Sequence, residues 1–172
     1  LRVKDPATTS YTPVVAVFAV AALIALAIGQ LTGTPWLDGM TLARFVSLSM
    51  ILLAMLKLQD VDRFATMFLG YDLLARRWVP YAYLYPFAQL GAGVLMLAGV
   101  LTWLSVPVAL FIGAIGATSI YRTVYVEKRT IKCACVGGGN NVPLGFVSLI
   151  EDLSMAGMAL WMGLAALTGS MT

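Results

Sequence analysis

Two cysteines, the only ones in the chain, lie one residue apart in the stretch "KCACVGGGNNVPLG". A disulfide between Cys133 and Cys135 would close a very short ring, so it would be strained and easily reduced. The basic neighbours Lys128, Arg129 and Lys132 favour the thiolate, the form that attacks disulfides and binds soft metal ions. The pair could therefore exchange disulfides, bind Cu(I) or another soft metal such as Hg(II), or form two inert small contacts at a helix end.

Acidic side chains follow the cysteines inside an apolar segment. Glu151 lies eight residues after Pro143, where that segment begins, and Asp152 is next in the chain. A helix starting at Pro143 would place Glu151 about 12 Å below its first residue. Carboxylates inside a membrane are costly and usually functional. Gln89, at a similar depth in another apolar segment, is positioned to hydrogen-bond Glu151, and Glu151 is a candidate third ligand if the cysteines bind metal.

A row of methionines continues the face of Glu151. Met155, Met158 and Met162 follow it at steps of four, three and four residues, a pattern that more often indicates packing than a copper path. The chain has no histidine, so a closed zinc site is not expected. Neither a phosphate-binding loop nor a Ser-His-Asp arrangement is recognisable, and basic residues beside a membrane need no nucleic acid to explain them.

Composition indicates an integral membrane protein. Of 172 residues, 60% are hydrophobic and 11% are charged, and the mean hydropathy is +0.90. These values lie far outside the range of soluble globular domains. Because no low-complexity tail or long polar linker divides the chain, we expect a single membrane domain over residues 1–172.

Apolar runs of about 20 residues, the length that crosses a bilayer, predict an all-α, polytopic transmembrane helix bundle of about five spans. The first run, 13–31, is longer than a signal-peptide core and lacks a small-x-small site after it, which favours a retained span. The others are 41–58, 81–103, a run to about 126 after a break at 105–107, and 143–168. Small residues at four-residue steps predict close helix packing; they are Ala21, Ala25, Gly29, Ala109, Gly113 and Ala117.

Basic residues are distributed unequally between the two sides of this bundle. Ten of the eleven Lys and Arg residues, Lys57 among them, fall on one side. Only Arg44, near the start of the second span, lies closer to the other side. The positive-inside rule then places the N-terminus and the cysteine segment in the cytoplasm. Residues 59–78 are too charged to cross, and their apolar positions recur at helical spacing with Asp72 on the polar side. They predict an interfacial amphipathic helix that anchors the protein or covers the cysteine segment.

The runs "KLQDVDRFATMFLGYDLLARRWVPYAYLYPFAQL" and "IKCACVGGGNNVPLGFVSLIEDLSMAGMAL" resemble the MauE branch of the MauE/DoxX family over about residues 57–160. The most specific parts are the Lys-x-x-Asp opening, "YDLLARR", "YP", and "CAC" followed by "P" and "ED". The resemblance implies a four-helix core, residues 41–168, after one extra N-terminal span, residues 13–31. It also implies a location in the bacterial inner, or cytoplasmic, membrane.

The family is described as redox-associated, and its namesake is implicated in making disulfides in a periplasmic dehydrogenase subunit. By motif match, Cys133 and Cys135 would be the redox pair. The positions that would support them are Tyr71, Asp72, Tyr85, Gln89, Glu151 and Asp152. Gln89 stands where the family pattern leads us to expect an acidic residue.

The resemblance also suggests partners for the cysteine pair. Relatives with the extra span often carry a heavy-metal-associated or glutaredoxin-like domain before it, and a thioredoxin-like protein is a third candidate. A cytoplasmic pair would lie in a reducing compartment, which also suits a reduced, metal-binding dithiol. Three hypotheses therefore stay open: a thiol-disulfide redox protein, which we favour, a soft-metal handling protein, or a non-catalytic accessory subunit of a larger membrane complex.

Overall fold

The computed structural model describes residues 11–36, 38–129 and 146–168, and every regular element in these ranges is helical. The elements, in chain order, are α1 (Thr12–Thr32), α2 (Gly39–Leu58), the short α3 (Val61–Phe68), α4 (Val79–Ala98), α5 (Thr102–Tyr121) and α6 (Phe146–Leu167). A π-helical turn, Arg122–Val126, extends α5. The predicted all-α bundle is confirmed.

Four helices in the described part of the chain are long and apolar enough to cross a membrane: α1, α2, α6, and α5 with its extension. α4 is not among them, although it has 20 residues like α2 and was expected to be a span. Its tyrosines, prolines and glutamine lower its hydropathy, yet it packs between α2 and α5. The chain is thus a polytopic helix bundle with four candidate membrane spans in its described part.

Helix packing follows the small residues. α6 packs along α5 and also touches α2, whereas α1 packs on α2 alone among the described elements. The predicted small-residue positions on α1 and α5 are all buried, as expected for close contact. At Gly113, an added Cβ would lie 2.9 Å from the backbone oxygen of Asp152 and 3.1 Å from the backbone nitrogen of Ala156. Glycine therefore brings α5 and α6 together at Asp152.

The predicted boundary between the third and fourth spans is wrong. α4 ends at Ala98, where Gly99 adopts a left-handed backbone with φ of 67°, and its N–H donates to the oxygen of Met96. This is a common way for glycine to end a helix. Pro107, which was expected to mark the break, lies in the second turn of α5. The glycine, not the proline, ends the helix here.

The amphipathic segment at residues 59–78 is a shorter helix than predicted, and it faces protein. Phe64 and Phe68 on α3 are 1% and 3% exposed, and their rings lie 5.9 Å and 4.7 Å from the ring of Tyr85 on α4. The apolar face of α3 therefore covers the bundle instead of lying in lipid. The rest of the segment is turns that lead to Val79.

Candidate functional site

Three helices meet in a closed triangle of buried polar side chains. Lys57, in the last turn of α2, places its Nζ 2.7 Å from Oε1 of Gln89 on α4 and 3.0 Å from Oε1 of Glu151 on α6. The side-chain amide of Gln89 donates to the same oxygen of Glu151 at 3.0 Å. The three residues are at most 6% exposed. We call these three residues the polar triangle.

Aromatic rings complete the surroundings of the ammonium group. Nζ of Lys57 lies 5.1 Å from the ring centroid of Tyr85 and 5.9 Å from that of Phe64. Aromatic faces attract cations at such distances, and the attraction is stronger when water is excluded. α3 supplies Phe64, so its packing on α4 closes the polar triangle on this side. The short helix thus has a role beyond anchoring.

The ion pair between Lys57 and Glu151 is deeply buried, with 3% and 6% of the two side chains exposed. A buried pair is weak evidence for stability, because desolvation opposes the attraction, but losing one partner leaves an uncompensated charge. Ionisable side chains in membrane helices usually mark a functional site. The polar triangle is therefore the leading candidate site in the described residues.

Asp152 extends the polar region towards α5. The hydroxyl of Tyr85 donates to Oδ1 of Asp152 at 3.2 Å, and Asp152 is 4% exposed. The carboxylate lies against Gly116, where an added Cβ would be 2.8 Å from Cγ of Asp152. Tyr85 also contributes its ring to the surroundings of Lys57, so one tyrosine links the polar triangle to the second carboxylate.

Asp72 is a third buried carboxylate, in the turns between α3 and α4. Its Oδ1 accepts the N–H groups of Leu74 and Ala75 at 2.9 Å and 2.8 Å, and its Oδ2 accepts the hydroxyl of Ser119 on α5 at 3.1 Å. The N–H of Leu73 donates to the same hydroxyl at 3.0 Å. Burial raises the pKa of Asp72 above its ordinary value. Asp72 therefore shapes the turn and ties it to α5.

Tyr71, beside Asp72, is a buried neutral phenol. Its ring packs edge-on against Phe68 with centroids 5.5 Å apart, and 3% of the residue is exposed. Burial, followed by the negative charges of Asp152 and Glu151, raises the pKa of Tyr71 well above its ordinary value. The side chain is thus held near the acidic residues but outside the polar triangle.

Most of the predicted supporting residues come together in the structure. The expected hydrogen bond between Gln89 and Glu151 is present. Glu151 is the sixth residue of α6 as described, which places it about 8 Å below Phe146. Asp72 was expected on a solvated helix face and is instead fully buried, because it caps the turn that follows α3.

Lys57 belongs to the candidate site but was not predicted as a site residue from the sequence. It was expected among the basic charges of the cytoplasmic side, but it is 2% exposed and paired with Glu151. Two signals could have found it: the apolar run continues on both sides through Leu56 and Leu58, and Lys57 opens the Lys-x-x-Asp motif.

Cys133 and Cys135 lie outside the described residues, as does Pro143. The methionine row on α6 is buried in the hydrophobic core, which fits the packing interpretation. Within the part of the chain that the structure describes, no three His, Cys, Asp or Glu side chains are arranged to hold a metal ion. The metal hypothesis, with Cys133, Cys135 and Glu151 as ligands, stays a prediction because both cysteines lie outside the described residues.

The family model for the methylamine utilisation protein MauE matches residues 34–165 of this chain. The chain belongs to the MauE family. The match begins after α1 and extends further at both ends than the resemblance recognised in the sequence, so the MauE region includes the polar triangle, Asp72, Tyr85 and Asp152. Searches of curated proteins and of solved structures each found no significant match.

Proposed function

We propose that this MauE-family membrane protein is a thiol-disulfide redox protein that uses Cys133 and Cys135 as its exchanging pair. The observation that carries the proposal is the buried polar triangle near the start of α6. Residues 130–145 connect Arg129 to Phe146, and Glu151 follows Cys135 by 16 residues. A membrane protein that holds a buried ion pair in the helix that follows the segment bearing its only thiols is suited to chemistry that moves charge and protons.

The proposed exchange proceeds through a mixed disulfide. A thiolate of the partner attacks one sulfur of the Cys133–Cys135 disulfide, the S–S bond breaks, and the other cysteine leaves as a thiolate. The partner's second thiolate then attacks the partner sulfur of the mixed disulfide, which releases the remaining cysteine as a thiolate. Two electrons pass from the partner dithiol to the pair, and the two protons that the partner loses balance the two that the cysteines gain.

The buried carboxylates give this exchange a place to hold protons. Glu151 is paired with Lys57, whereas Asp152 accepts a hydrogen bond from Tyr85 and makes no salt bridge within the described residues. In the proposed mechanism, Glu151 and Asp152 hold and return the protons of the reacting thiols. The partner is a thioredoxin-like, glutaredoxin-like or heavy-metal-associated domain on the cytoplasmic side of the bacterial inner membrane, where the basic residues place the cysteines.

Single-serine variants test the proposal directly. In the reverse direction of the exchange, one cysteine of the pair attacks the partner's disulfide and the other cysteine then releases the reduced partner. Cys135→Ser should therefore trap an oxidised partner on Cys133, or Cys133→Ser should trap one on Cys135, because the cysteine that would release it is missing. The adduct should appear on a non-reducing gel and disappear on reduction. The double serine variant is the control. If neither single variant forms an adduct with an oxidised partner domain, the exchange proposal is wrong.

The same variants separate the two other hypotheses. If the pair binds a soft metal, each single serine variant should lose Cu(I) affinity and no covalent partner should accumulate, because two thiolates are needed to chelate. If the protein is an accessory subunit, the double serine variant should keep its membrane partners and its activity in the cell.

A further inference from the structure

A cleft of about 470 Å³ opens between the turns before α4 and the outer face of α5. Its apolar lining comes from Leu73, Leu74, Ala114 and Ile115, and Thr118 adds one hydroxyl. Arg77 and Arg122 supply its charged lining. This volume lies within the range of small-ligand sites. The cleft is separate from the polar triangle, which lies inside the bundle.

Exposed aromatic side chains mark the level at which the cleft opens. Trp78, next to Arg77 in the chain, is 52% exposed. Tyr121 and Tyr125, on either side of Arg122, are 56% and 49% exposed, and their rings stack with centroids 5.4 Å apart. Tryptophan and tyrosine concentrate where lipid headgroups meet water. The two arginines therefore lie at headgroup level.

The charge around the cleft is not balanced by acidic side chains. Arg77 makes no ion pair within the described residues. Arg122 places its Nε 3.3 Å from Glu127, but 58% of the arginine side chain is exposed, and Glu127 is shared with Arg129 at 3.7 Å. Exposed ion pairs of this kind are weak. The cleft thus keeps a net positive charge that suits an anion.

We propose that this cleft binds an anionic phospholipid. The guanidinium groups of Arg77 and Arg122 hold the phosphate, for which their planar donors are well matched. The leucines and Ala114 pack against the first carbons of an acyl chain, while Thr118 borders the glycerol region. Basic pockets between helices at the cytoplasmic side recognise anionic headgroups in this way. The cysteines take no part in this binding.

Thermal unfolding of the full chain in detergent tests the site, since a ligand that binds the folded state raises the midpoint. Added phosphatidylglycerol should raise the midpoint saturably, and phosphatidylcholine should not. The Arg77→Gln/Arg122→Gln variant should need about thirtyfold more phosphatidylglycerol to reach half of the full midpoint shift. This corresponds to a loss of about fivefold for each arginine. Ala114→Leu, which fills the apolar floor without changing charge, should also weaken the response.

A matched control removes the same charge elsewhere. Arg63→Gln/Lys128→Gln deletes two exposed basic residues that do not line the cleft, and it should respond like the unmodified chain. An equal loss in both double variants would show a diffuse charge effect and overturn the site. If glycerol 1-phosphate raises the midpoint as much as phosphatidylglycerol does, the ligand is a free phosphate. If Ala114→Leu responds like the unmodified chain, the acyl chain makes no contact there. Each result overturns the phospholipid proposal.

Discussion

At the residue scale, Lys57 and Glu151 balance each other, with Gln89 as a neutral bridge. Gln89 donates to Glu151 and accepts from Lys57, so it satisfies both charges without adding one. An acidic side chain at this position, which the family pattern had led us to expect, would leave one ammonium beside two carboxylates. The glutamine therefore keeps the polar triangle electrically neutral.

A double-mutant cycle tests this pairing. Lys57→Met and Glu151→Gln each leave one buried group without its partner, so each should lower the free energy of unfolding by about 3–5 kcal/mol. The double variant should be less destabilised than the sum of the two, by about 0.5–3 kcal/mol. Denaturant unfolding in detergent measures all three, with exposed Arg63→Gln as a control expected within about 0.5 kcal/mol of the unmodified chain. Additive losses would show that the two charges do not interact.

At the element scale, glycines decide how closely α5 approaches α6. Gly113 and Gly116 face the backbone and the side chain of Asp152, so α6 can present this carboxylate to Tyr85. The repeated small residues predicted close packing at Gly113 but named neither the partner helix nor Gly116, and the long apolar runs predicted α1, α2 and α6. Local patterns did not predict where α4 ends: the break was expected at residues 105–107, whereas Gly99 ends the helix.

Gly116→Ala should destabilise the bundle, whereas Gly91→Ala should not. The new Cβ at position 116 would overlap the Asp152 carboxylate, whereas position 91 has no atom within 4 Å that a Cβ would meet. Overpacking of this kind costs about 1–3 kcal/mol. Gly91→Ala should be neutral, or stabilising by up to about 1 kcal/mol because alanine suits a helix better. Thermal unfolding of the two variants compares them, and equal midpoints would mean that α6 can shift without loss.

At the scale of the whole molecule, the site joins parts of the chain that lie far apart. Lys57 and Glu151 are 94 residues apart, and Lys57 and Gln89 are 32 apart. A single sequence reveals composition, spans and motifs, but it does not show which buried charge meets which. The similar depths of Glu151 and Gln89 in their helices were enough to predict that the two are paired. Lys57, in contrast, was counted with the basic residues of the cytoplasmic side. Its burial leaves nine of the ten basic residues on that side in the five-span arrangement, in which α4 also crosses, and the orientation stays a prediction.

Orientation can be measured with thiol labelling in intact cells. A membrane-impermeant maleimide should leave Cys133 and Cys135 unlabelled until the cells are lysed, because the positive-inside rule predicts a cytoplasmic location for this segment. A variant with an added cysteine at Thr32, at the end of α1, is the matched control and should label from outside. Equal labelling of the native pair in intact and lysed cells would reverse the topology.

The most direct test is the rate at which the purified, reduced protein forms a disulfide after glutathione disulfide is added. Alkylation of the remaining thiols and a gel shift measure that rate. The unmodified chain should form the Cys133–Cys135 disulfide. Glu151→Gln, if its unfolding curve still shows a folded protein, should react about a hundredfold more slowly, the lower end of what a positioned acid–base group contributes. A pair that forms no disulfide, or one that reacts equally fast without the Glu151 carboxylate, would contradict the account.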